Sequence, residues 1–149
     1  MNGQSKGKQV EELIARLSIN RNACDENELC CEVRLISENE KLQVIRDLIV
    51  FNVRLAAAVA ARVHLAERQQ VQLMRELLES GGSNTIRQFV DRLFSHRLSA
   101  SLVLKELMRA RANNPDAVSL MAYYFSGKLV FRSADQKSII CKLRSGDAG

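Results

Sequence analysis

Residues 38–79 read ENEKLQVIRDLIVFNVRLAAAVAARVHLAERQQVQLMRELLE, without a Gly or a Pro. Such a run predicts one long helix, on the order of 60 Å at ~1.5 Å per residue, or two helices end to end. Ser37 followed by Glu40 forms a capping box at its start. Glu38 and Glu40 also suit the positive end of the helix dipole. Gly81 and Gly82 mark its stop, where a left-handed residue can close a helix.

The apolar seam runs through Ile45, Leu48, Ile49, Asn52, Leu55, Ala56, Val59, Val63, Ala66, Gln70, Leu73, Met74 and Leu77, at three- and four-residue spacing. From Leu48 to Ala61 only Asn52 and Arg54 interrupt the apolar character, so burial on several sides is expected. Leu55, Val59 and Val63 are expected in the core. The small residues Ala56 to Ala58, with Ala60 and Ala61, would let neighbouring backbones approach closely. A membrane span over Leu48 to Ala66 is long enough, but it would bury Asn52, Arg54, Arg62 and His64 in hydrocarbon, at high cost.

Composition sets the frame. A chain of 149 residues, 46% hydrophobic, with one Pro and no Trp, suits a single folded helical domain with a real core. Charge is uneven. Residues 1–40 carry five Lys/Arg against eight Asp/Glu, residues 41–79 six against four, and residues 80–149 eleven against five. The net charges are −3, +2 and +6, which sum to the +5 of the whole chain. A basic C-terminal half fits an acidic partner, whether nucleic acid, an anionic surface or an acidic protein, and fits a plainly solvated surface as well.

Outward from the long run, residues 1–8 read as a flexible polar arm and residues 9–18 as a short amphipathic helix. Residues 28–36 fit either helix or strand, and the helical neighbours favour helix. Thr85, with Gln88, is placed to cap the next helix, whose stripe is Ile86, Phe89, Val90, Leu93 and Phe94. Continued past Ser95, that helix would put Arg97 on the apolar face, so a break or bend is expected there, with Ser99 as the next N-cap. A helix over residues 100–112 follows, with Val103, Leu104, Leu107 and Met108 inward. Pro115, preceded by Asn114, opens another that Gly127 closes. Residues 128–143 read as a β-hairpin about Ser133 to Gln136 or as an extended tail. Residues 144–149 read as frayed.

Cys24, Cys30, Cys31 and Cys141 are the thiols; adjacent Cys30 and Cys31 are awkward in a tetrahedral zinc site, and buried small hydrophobes explain them better. His64 and His96 have no nucleophile pattern beside them. The sequence holds no phosphate loop, nucleophile elbow or zinc-protease motif. No cofactor, metal or catalytic residue is therefore expected.

Two residue sets remain as candidate sites. Arg87, Arg92, Lys105, Arg109 and Arg111 form a candidate anion or nucleic-acid face. Leu73, Met74, Leu77 and Leu78 form a candidate helix-pairing face, by which the end of the long helix would meet a protein partner or a second copy. The expected fold is all-α, a helical bundle packed around one long central helix, with a possible short C-terminal β-hairpin and a single domain over residues 9–143. The expected role is a non-enzymatic helical interaction module, an adaptor or assembly subunit. The alternative is a nucleic-acid-binding protein using the basic half. With no signal peptide or transmembrane segment read from the sequence, an intracellular location is expected.

Overall fold

In a computed structural model, the residues described are Glu12, Ala15 and 26–145. The expected N-terminal arm, most of the first amphipathic helix, Cys24 and residues 146–149 lie outside them. Every regular element among the described residues is helical, and no strand is present among them. The chain divides into two compact units, residues 1–69 and 70–149.

The first unit holds α1 (Glu26–Val33), α2 (Glu38–Phe51), α3 (Val53–Arg62) and the first turn of α4 (Glu67–Ser80). The ambiguous segment 28–36 is thus mostly helix. Ser37 caps α2 as expected, accepting from the Glu40 amide at 3.3 Å. The Glu40 carboxylate, however, accepts from the Ser37 hydroxyl at 2.9 Å and does not reach back to the backbone.

The single long helix does not form. Asn52 closes α2 through its own amide, which donates to the Leu48 carbonyl, and opens α3 by accepting from the Leu55 amide at 3.1 Å. Asn favours this double role because its side chain competes with the helix backbone for hydrogen bonds. The second break lies between Arg62 and Glu67. There the Ala66 amide donates to the Glu38 carboxylate at 3.2 Å, and Lys41 Nζ lies 3.4 Å from the His64 carbonyl. Gln69 adds a hydrogen bond to Asn39 at 3.2 Å. The start of α2 thereby satisfies the start of α4.

Breaking the run lets α3 fold back on α2 and pack also on α1. Ala56 to Ala60 are buried, including the small residues that permit this close approach. Val59 and Val63 are core, but Leu55 is only half-buried. Arg62 joins the α1 end through Glu26 at 2.8 Å.

The second unit holds the rest of α4, then α5 (Ser83–Phe89), a π-helical turn (Val90–Phe94), the single turn α6 (Ser95–Arg97), α7 (Ala100–Ala110), α8 (Pro115–Ser126) and α9 (Ala134–Ser145). α4 ends at the expected glycines, for a different reason. Neither adopts a left-handed conformation; a Cβ on Gly81 would lie 2.7 Å from the Leu77 carbonyl oxygen. Gly82, not Thr85, is the N-cap of α5, and Thr85 is buried in its first turn.

The π turn answers the phase conflict of this helix. Its extra residue per turn keeps Val90, Leu93 and Phe94 in the core and leaves Arg97 exposed. Phe89 and Phe94, five residues apart, come to 6.1 Å between ring centres. Ser99 then caps α7 by accepting from the Leu102 amide at 3.2 Å.

No β-hairpin forms after Gly127. Ser133 accepts from the Gln136 amide at 3.2 Å, and Gln136 accepts from the Arg132 amide at 2.8 Å, which together start α9. α9 packs along α8 and against α7, burying Ile140 and Leu143. Arg144 and Ser145, expected to be frayed, belong to this helix. No helix among the described residues is long and apolar enough to cross a membrane.

Candidate functional site: a charged cleft between α4 and α7

The second unit carries a cleft of about 230 Å³ lined by Arg75, Leu78, Glu79, Glu106, Arg109, Ala110, Asn113 and Asn114. α4 contributes one wall. The end of α7 and the turn into α8 contribute the other.

An ion pair joins the walls. Arg75 Nε donates to Glu106 Oε1 at 2.6 Å and Nη2 to Oε2 at 3.2 Å, a two-point fork that fixes orientation as well as distance. Glu106 is only 3% exposed, whereas Arg75 is 41% exposed. The hydrogen bond from Arg75 holds the Glu106 carboxyl below the ordinary carboxylate range, against the opposing effect of burial; the charges of Arg75, Arg109 and Lys105 help. The same hydrogen bond raises the Arg75 guanidinium further above its usual value.

This pair was not legible as a site in the sequence. On α7 the expected inward stripe included Met108, which is instead 53% exposed. The helix is rotated so that the flank bearing Glu106 faces inward, and two residues on, Met108 falls on the opposite flank.

The five basic residues fall into two groups. Arg87 lies 3.9 Å from Asp91, which Lys128 approaches at 2.7 Å, and Arg92 donates to Gln88 at 3.1 Å. Lys105 and Arg109 are exposed, one turn apart on α7, and near enough to Glu106 to act on its charge. Arg111 is half-buried at the end of α7.

The expected helix-pairing face is not open. Leu73, Met74, Leu77 and Leu78 are all buried in the chain, none more than 4% exposed. A second copy could use them only if they first left their present packing.

Cys30 is buried, which pushes its thiol up, and Cys31 and Cys141 are exposed; all three are free. His64 and His96 are exposed. Among the described residues no group of three or more His, Cys, Asp and Glu is placed to hold a metal ion. The chain matches no family model, no curated protein and no solved structure.

Proposed function

We propose that the chain is a non-enzymatic helical interaction module that engages a protein partner at the cleft between α4 and α7. The observation that carries this reading is the two-point ion pair of Arg75 and Glu106, which ties the two walls of the cleft together. General acid–base catalysis is served best by a group that titrates near the working pH. In this cleft the hydrogen bond from Arg75 holds the Glu106 carboxyl below the ordinary carboxylate range, and the two groups are occupied with each other. Such a pair suits a fixed frame for a recognition surface rather than a proton-transfer site. The other lining residues, two Asn, a Leu, an Ala and the charged Glu79 and Arg109, supply hydrogen bonds and apolar area.

The test is affinity purification from nuclease-treated extract with the wild type and with Lys105→Glu/Arg109→Glu. The expected result is a discrete protein partner retained by the wild type and released by the variant. Equal retention by both would remove the cleft from the account.

Nucleic-acid binding is the second reading, favoured by the net +6 on residues 80–149. Lys and Arg that neutralise phosphates release counterions, so binding of an oligonucleotide should fall steeply with salt. Each phosphate-binding side chain removed should reduce that slope by about one unit. Absence of binding at low salt to single and double strands would end this reading.

A further inference from the structure

Resting on the interaction-module reading, we propose that the cleft between α4 and α7 receives an acidic side chain of a partner peptide, with Arg109 as the carboxylate receptor. Arg75 and Glu106 already satisfy each other through two hydrogen bonds. Arg109 lines the same cleft, is exposed, and makes no ion pair among the described residues. Lys105, one turn earlier and outside the cleft lining, adds positive charge on the same helix, near enough to act on Glu106. An Arg in this setting offers a planar fork for a carboxylate brought from outside.

The other lining groups fit that occupant. Asn113 and Asn114 bring amide donors, and Asn114 spends no side-chain bond on capping α8. Half-buried Ala110 gives a small apolar contact for the aliphatic stem of a Glu, over a floor closed by buried Leu78. The volume, about 230 Å³, is below the ~300–1,000 Å³ of pockets for drug-sized ligands. It has room for one or two peptide side chains.

A polyanionic nucleic acid fits less well. No aromatic side chain lines the cleft for base stacking, and Glu79 on the α4 wall would repel a run of phosphates. One carboxylate seated at Arg109 meets far less of that repulsion. Glu79 should therefore weaken binding mildly, and its removal should strengthen it.

The experiment is fluorescence polarisation with the full chain at low salt. The probe is a fluorescein-labelled dodecapeptide of alternating Glu and Gly, with a Lys–Gly peptide and oligothymidine for comparison. The Glu–Gly peptide should bind saturably and the Lys–Gly peptide should not. Arg109→Glu should weaken binding by at least about tenfold, and Glu79→Gln should strengthen it about two- to threefold. Lys142→Glu, the same charge change on exposed α9, should stay within about twofold of wild type. Circular dichroism of each variant checks that the helices are intact. The proposal fails if the Glu–Gly peptide does not bind, if Lys142→Glu costs as much as Arg109→Glu, or if oligothymidine binds more tightly through Arg109. Should purification yield a partner that depends on Arg109 while the Glu–Gly peptide does not bind, the interaction module stands and the acidic ligand falls.

Discussion

Arg75 on α4 and Glu106 on α7, thirty-one residues apart in the chain, meet through two parallel hydrogen bonds of 2.6 and 3.2 Å. The carboxylate is almost wholly shielded and the guanidinium is half open to water. Losing either partner is therefore not symmetric, because an unpaired buried charge costs more than an unpaired half-exposed one.

Arg75→Ala should lower the urea midpoint more than Glu106→Gln does, since it strands a carboxylate and the Gln variant strands only a solvated guanidinium. The pH dependence has a fixed sign. The folded Glu106 carboxyl is depressed, so its contribution is present above the unfolded value of ~4.3 and is lost as pH falls through the folded value. The stability gap between wild type and Glu106→Gln should thus narrow in acid, below about pH 4. Urea titrations at a series of pH values measure both effects. A gap that widens in acid would contradict the assignment.

Core contributions should follow burial. Leu48 and Leu107 are fully buried, and replacing either with Ala should cost about 2–5 kcal/mol. Leu55, on the seam of the sequence but half-buried in the fold, should cost less than about 2 kcal/mol as Ala. Denaturant unfolding of the three variants gives the ranking directly. An equal loss at Leu55 would mean that α3 is more enclosed than described.

The adjacent glycines should respond in opposite directions. A side chain at Gly81 would press on the Leu77 carbonyl, so Gly81→Ser should destabilise by about 1–3 kcal/mol. Gly82 has open space around its Cβ position, an extended backbone and no side-chain cap bond. Gly82→Ser should supply that cap and stabilise by a few tenths of a kcal/mol, the usual margin of Ser over Gly there. Thermal melts of the pair should move apart; a common direction would contradict the geometry of this turn.

Much of the local structure was legible because its signals are local. Ser37, Ser99 and Pro115 each begin a helix where the sequence places it, and the phase conflict at Arg97 marks the true irregularity. The two breaks in residues 38–79 differ in kind. Asn52 is a capping residue type and carried a signal, although its three- and four-residue spacing from its neighbours placed it on the apolar seam of one continuous helix. The break after Arg62 carried none, because the group that satisfies Ala66 is the carboxylate of Glu38, twenty-eight residues away. Ser133 and Gln136 show a signal present and overlooked: S-A-D-Q has capping-box spacing, yet the flanking Leu129, Val130 and Phe131 suggested strands. In the cleft, the basic residues of α7 were legible from charge and spacing. Glu106 was not, since nothing local shows that Arg75 will neutralise it and turn its flank inward.

The most direct test of the interaction module places a photo-crosslinking amino acid at Asn113, in the cleft, and at Lys142, on α9, as control. Irradiation in nuclease-treated extract should join one discrete protein to the chain from position 113, and Arg109→Glu should abolish that product. No protein product from position 113, or the same product from both positions with Arg109→Glu without effect, would contradict the account.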